Sequence, residues 1–347
     1  MNEDHALLRA DDATWEQALK LVEHDIYQVP QFSVLDAALT GGTAVAFYFR
    51  SNSHILLLPL VLRPIEGTEA LDATSPYGYS GPVSNADPND TDFWYLACQS
   101  LLETLASEQV ATAFIRLHPL LPAPLDVFRS FGSVVEHGLT VSIDLSLSGE
   151  EIWRRTRRDH RKQIRQIRTR DRKVVFDDWS YFDEWMEAYY DNMRRVGASD
   201  FYFFSRDHFQ GLRERLKEHV HLVVVLVEDT VGAGDLFFRY GGFVESYLGG
   251  MRTAYRGEHL DKLLYDEVRR WAQDQGAAVY HIGGGRGGAS DQLYNYKAGF
   301  SDRRHPFHTW RLVPSPDANQ QLVNQLTPGE DAENRTGYFP VYRRAHG

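Results

Sequence analysis

Lys297, in the segment LYNYKAGF, stands among Tyr294, Tyr296 and Phe300. An ammonium in such company is costly to bury without a partner, so an anion, fixed or transient, is expected beside it. The lysine is thereby a candidate binder of an anionic group. It could equally snorkel, the stem covering aromatic surface and the head reaching water. The second concentration of chemistry is residues 150–173, EEIWRRTRRDHRKQIRQIRTRDRK, with eleven Lys and Arg against four acids in a chain of formal charge −11. Read as one helix, Arg154, Arg158, Arg161, Arg165, Arg168 and Arg172 recur at steps of four and three. They form a stripe suited to an anionic partner, while Trp153, Ile164 and Ile167 share a neighbouring face for docking. A solvated charged face is the plainer alternative.

Other motifs carry less. SPYGYSGPV, Ser75–Val83, places Tyr77 and Tyr79 among turn formers and reads as a rigid aromatic binding loop. Its GYSG core is not a nucleophile elbow, because Pro82 stands where the second glycine belongs. Asp72 and Asn85 flank the loop and could fix polar groups of a ligand, or serve only the turns. Gly283–Gly288 formally matches GxGxxG, yet the helix after it is short and no acid ends a second strand about 20 residues on as a ribose contact should. There is no Walker lysine. His305 and His308, three apart on a strand, face opposite sides, and no HExxH spacing occurs. The single Cys98 excludes an intramolecular disulfide and lies in an apolar run, where a buried structural thiol is expected. Neither a metal site nor a cofactor is expected.

At 347 residues the chain has room for two domains of about 150 residues each. The N-terminus lacks a signal-peptide pattern and no apolar run approaches the roughly 18 residues of a membrane span, so a soluble cytoplasmic protein is expected. A hairpin at about 43–64, a helix at about 91–109, the strand TAFIRLHP, a short helix near 124–131 and a strand at about 134–145 follow in order. A hairpin at about 221–240 with its turn at EDTVGAG, the strand FVESYLGG, a helix at about 258–275, the strand AVYHIG, a short helix near 290–298 and a strand near 306–313 repeat that order. The pattern predicts an α/β chain of two similar units, related by duplication.

These units, with RDHRKQIRQIRTRDRKVVF, FYFFSRDHFQGL, HLDKLLYDEVRRWAQDQG, YHIGGG and LYNYKAGFSD, resemble the Fem-type transferases. That branch of the GCN5-related acyltransferase (GNAT) superfamily moves aminoacyl groups from aminoacyl-tRNA onto amines. The resemblance implies two tandem GNAT-like units, 1–147 completed by a tail at 313–347, and 148–312 opened by the basic helix. It places the family's lysine, which steadies the tetrahedral intermediate, on Lys297, and the tRNA backbone on the arginine stripe. The acceptor side falls near Gly81–Val83 with Tyr77, Tyr79 and Asn85, and Arg206 lies near the family's phosphate-contacting arginine. Asn85 stands where the family has a carboxylate, which favours a peptide natural-product intermediate over a peptidoglycan precursor as acceptor. Two alternatives stay open: an acyl-CoA-dependent acetyltransferase of the same superfamily, and a tRNA-binding protein without catalysis. Against the first, Arg252–His259 lacks properly spaced glycines to cradle a CoA pyrophosphate.

Overall fold

The computed structural model describes residues 3–332 and 337–344. The chain divides into two compact units, 1–137 with 306–347, and 138–305.

Unit 1 runs through β1 (Glu3–Arg9), α1 (Ala13–Leu19), α2 (Pro30–Thr40), β2 (Thr43–Ser51), β3 (His54–Pro64), β4 (Leu71–Thr74), β5 (Val83–Ser84), α3 (Thr91–Ser107), β6 (Val110–Arg116) and α4 (Leu125–Phe131), and enters β7 (Ser133–Asp144). The runs AVAFYF and ILLLPLVL are buried nearly without alternation, because helices cover both faces of the sheet here. Asp90 caps α3, and Phe93, Trp94, Ala97, Cys98, Leu101 and Leu105 bury its inner face. The tail forms α11 (Pro316–Leu326), whose Leu322 and Val323 pack with Ile65, Ala111, Val341 and Tyr342.

Unit 2 runs through α5 (Gly149–Arg155), α6 (Arg158–Arg168), β8 (Lys173–Phe176), α7 (Phe182–Val196), α8 (Arg206–Leu216), β9 (Val220–Val227), β10 (Thr230–Tyr240), β11 (Phe243–Met251), α9 (Leu260–Asp274), β12 (Val279–Gly284), α10 (Gln292–Lys297) and the start of β13 (Arg303–Leu312). Its strands lie in the order β7, β12, β11, β10, β9, β8; those of unit 1 lie in the order β1, β2, β3, β4, β6, β13. Hairpin, third strand, long helix, strand, short helix and last strand thus follow the same order twice. Each last strand, however, serves the other half of the sequence. Residues 140–144 of β7 pair with β12, and residues 309–312 of β13 pair with β6. The units therefore part at 137/138 and 305/306, inside strands, where a reading of sequence alone put 147/148 and 312/313 in the loops after them.

Two further expectations need correction. The β9–β10 turn is only Glu228–Asp229, both at positive φ as a two-residue hairpin turn requires, so VGAG belongs to β10 and Asp235 lies in mid-strand. The basic segment is two helices. α5 ends at Arg155 and α6 starts at Arg158, with Thr156 extended between them, because the Arg157 amide is committed to the segment after Lys297. Arg157 N donates to Gly299 O at 2.8 Å and Thr156 Oγ1 lies 3.2 Å from Phe300 O. Among the described residues no helix is long and apolar enough to cross a membrane.

Candidate active site

In unit 2 the parallel strands β11 and β12 pair only at Phe243/Val279, Val244/Tyr280 and Glu245/His281, although β11 continues to Met251 and β12 to Gly284. Beyond Glu245 the two ladders part, leaving a wedge whose walls carry backbone groups outside the sheet ladder. Asp291 caps α10 by accepting the Tyr294 amide at 2.9 Å and so sets the start of the short helix that ends at Lys297. Lys297 is part-buried. Desolvation pushes its ammonium down from an ordinary 10.5 to about 8, against the attraction of Asp235, Asp291 and Glu245.

Asp235 projects from β10 into the interior and is 3% exposed. Its register partner on β11 is Gly249, where a Cβ would come within 2.6 Å of the Asp235 carboxylate. Only a glycine leaves that carboxylate its place. Ser246 Oγ donates to Asp235 Oδ2 at 2.9 Å, and the Tyr265 hydroxyl lies 3.4 Å from Ser246 Oγ. Burial pushes the Asp235 carboxyl up to about 7, opposed by the Ser246 hydrogen bond and by the charge of Lys297. Tyr265 and Tyr280 are raised by burial and remain neutral phenols. The wedge therefore holds a cation and a carboxyl that both titrate near neutrality, an arrangement characteristic of proton-transfer sites. Buried Glu245 and His281 bind each other at 2.8 Å at its apex.

The arginines split into two sets. Arg168 is bound to Asp266 at 2.8 Å and to Glu267, and Arg172 to Glu258. Those two already pair with carboxylates. Among the described residues Arg154, Arg158, Arg161 and Arg165 have no carboxylate partner; Arg165 lies 5.4 Å over the Trp153 ring. On α6, Arg158 and Arg165 are exposed on the side away from buried His160, Ile164 and Ile167, and part-buried Arg161 sits on the flank between. His160 Nε2 donates to Tyr296 O at 3.0 Å, which fixes its tautomer, and Arg157 donates to Asn295 O at 3.0 Å. The basic helix is thus pinned to the helix that carries Lys297.

The remaining candidates are placed as follows. In unit 1 the loop at Tyr77 and Tyr79 is held by buried Gln28, which donates to Tyr79 O at 3.1 Å and Gly81 O at 3.3 Å. Tyr79 packs edge-on against Tyr27, His118 and Phe307. The Tyr77 amide bonds to Asp36, whose carboxyl burial raises. Asn85 has a different duty from the one its position suggested. Its Oδ1 accepts from Ile55 N at 2.8 Å and its Nδ2 donates to Ser53 O at 3.1 Å, so it clasps the β2–β3 turn. Asp72 is likewise structural, fully buried between Arg63 and Arg343 at 2.8 and 2.7 Å. Arg206 opens α8 in unit 2, exposed, ion-paired with Asp183 and set over Phe182. The turn Gly283–Gly288 leads into a single short turn of helix; a Cβ at Gly285 would meet Ala289 O at 2.0 Å, so close approach accounts for that glycine. Asp235 and Ser246 went unrecognised in the sequence. The available signal was an acid between the apolar residues of a strand.

Residues 154–298 match the sequence model of the acetyltransferase (GNAT) domain. No curated protein matches the chain. The crystal structure of FemX superposes with a TM-score of 0.70 at 12% identity, covering 94% of this chain and 100% of that one. L-PGS from Bacillus licheniformis gives 0.56 at 12% identity, over 89% and 93%. The C-terminal domain of a putative lysylphosphatidylglycerol synthetase from Agrobacterium fabrum gives 0.56 at 14%, over 89% and 95%. Residues 154–298 thus match a GNAT domain, and nearly the whole chain has the fold of FemX.

Proposed function

We propose that the chain is an aminoacyltransferase that takes its acyl group from aminoacyl-tRNA and forms an amide on the amine of a small or peptidyl acceptor. The observation that carries this reading is the wedge with Lys297 at its side, joined through His160 and Arg157 to a helix that presents Arg158, Arg161 and Arg165 without carboxylate partners. Aminolysis of an ester needs no enzyme nucleophile. It needs an aligned amine, a route for its proton, and a cation where the oxyanion forms. A polyanionic donor suits these arginines, which give affinity without reading bases. One fold relative is a putative lysylphosphatidylglycerol synthetase, a name that joins a lysyl group to a lipid acceptor and is compatible with this reading.

The acceptor is read as a peptide natural-product intermediate or a peptidoglycan precursor, bound on the Tyr77–Tyr79 side. With Asn85 engaged in the hairpin, it no longer argues for either. The alternative is an acyl-CoA-dependent N-acetyltransferase, favoured by the GNAT match itself. The segment before α9, Arg252-Thr-Ala-Tyr-Arg-Gly-Glu-His259, offers a single glycine for a pyrophosphate. The test is incubation with charged total tRNA and candidate amines, read by mass spectrometry. An amide product that vanishes on ribonuclease treatment supports the tRNA donor. Comparable product from acetyl-CoA in ribonuclease-treated enzyme assigns the chain to the CoA-dependent branch.

A further inference from the structure

Ser246 is the first residue of β11 past the last pair with β12, and it is part-buried at the wedge. A carboxylate oxygen only accepts, so the 2.9 Å contact fixes the Ser246 proton toward Asp235 Oδ2. The Ser246 oxygen is then left to accept, and the Tyr265 hydroxyl at 3.4 Å is oriented toward it. The chain of bonds runs from the wedge inward and ends on a carboxylate 3% exposed. Lys297 from α10 acts on Asp235, and Asp235 and Ser246 act in turn on Tyr265 from α9 and Tyr280 from β12; Asp291, before α10, and Glu245 from β11 act on Lys297, and Asp261 from α9 acts on Tyr265. Lys297 is the sole cation among them. If Asp235 were merely its counter-ion, the carboxyl would be held below its ordinary range; burial outweighs the lysine and holds it above.

We propose that Ser246 and Asp235 form the proton-accepting relay of the transfer reaction, with Ser246 facing the acceptor amine and Asp235 storing the proton. The inference rests on the amide-forming reading given above. The acceptor arrives as an ammonium. Its proton moves to Ser246 Oγ while the serine proton moves to Asp235 Oδ2, leaving a neutral amine. The nitrogen lone pair forms the C–N bond as the carbonyl π pair shifts onto oxygen, beside Lys297. The C–O bond to the donor then breaks, the leaving oxygen takes the second proton of the nitrogen, and Asp235 returns its proton to solvent through Ser246. Asp235 touches no substrate and acts through the serine.

The test compares the parent with Asp235→Asn and Ser246→Ala, using propylamine, protonated at pH 7, and methoxyamine, neutral at pH 7, each corrected for the uncatalysed rate. Charged total tRNA and acetyl-CoA are run as separate donors. Both variants should lose roughly two powers of ten in kcat with propylamine, the usual size of a general-base effect, and far less with methoxyamine. In both the acidic limb of the pH profile should disappear. Equal losses with the two amines, or an unchanged acidic limb in both variants, overturn the relay. A parent enzyme that works only with acetyl-CoA overturns the donor assignment, and the propylamine-to-methoxyamine ratio then judges the relay on that donor. A parent that accelerates neither donor overturns both readings.

Discussion

Replacing Lys297 by Met keeps the length of the stem and removes only the charge. Loss of a single oxyanion stabiliser costs about two to three powers of ten in kcat, or about 3–4 kcal/mol of transition-state binding. The stability change should have the opposite sign. A fall from 10.5 to about 8 means that the folded protein holds this ammonium at a cost of about 3 kcal/mol relative to the unfolded chain. The folded state binds fewer protons than the unfolded chain between those two values. The cost is therefore full below about pH 8 and fades as pH rises toward 10.5. At pH 7 the methionine variant should thus melt no lower than the parent, and higher if the aromatic surroundings close around the apolar head. Activity and stability would then be traded at one position, as expected of a site kept for chemistry. The assay is the single-turnover rate of amide formation at pH 7, with a calorimetric melting curve on the same preparation. A rate within about threefold of the parent combined with a lowered Tm would refute the argument, because lost packing without lost catalysis is the signature of a snorkelling lysine.

With Asp235 needed as a base and Lys297 as a cation, the parent rate should climb through about pH 7 and decline through about pH 8; Lys297→Arg, if active, should lose the alkaline limb. Arg158, Arg161 and Arg165 reversed to Glu should weaken tRNA binding whatever its sequence. The log–log salt slope should flatten by somewhat less than one for each phosphate no longer neutralised, measured by filter binding across a salt series; parent-like binding would leave α6 a solvated face. Arg168→Gln should affect that slope far less, since Asp266 and Glu267 already hold its guanidinium. Asp72→Ala leaves Arg63 and Arg343 facing a buried void and should destabilise unit 1 by about 3–5 kcal/mol in urea unfolding. Burial pushes the Cys98 thiol up, so its alkylation should track global unfolding and proceed no faster.

Much of the scaffold was written in local sequence. The apolar spacing of Phe93 through Leu105 makes α3 wherever it is placed, and the unbroken runs of β2 and β3 announce strands covered on both faces. The repeated order of elements and the aromatic setting of Lys297 were legible for the same reason: period and composition are local properties. The sequence also showed the cationic charge of residues 150–173, though not its use. Long-range partners decided that. Glu258, Asp266 and Glu267, some ninety residues away, neutralise Arg172 and Arg168, and hydrogen bonds to Gly299 and Phe300 break the single helix that the pattern implied. Asn85 could serve a ligand or a turn on sequence alone; in the fold both ends of its amide bond the hairpin turn. Asp235 was invisible as a functional group because its proton affinity is raised by burial and tempered by Ser246 across a strand pair and by Lys297 on a distant helix, none of them legible locally. Where each last strand pairs was equally beyond reach. A strand's own residues fix its faces by their alternation, but its neighbour is chosen by the closure of the whole chain, and β7 and β13 each close the sheet of the other half.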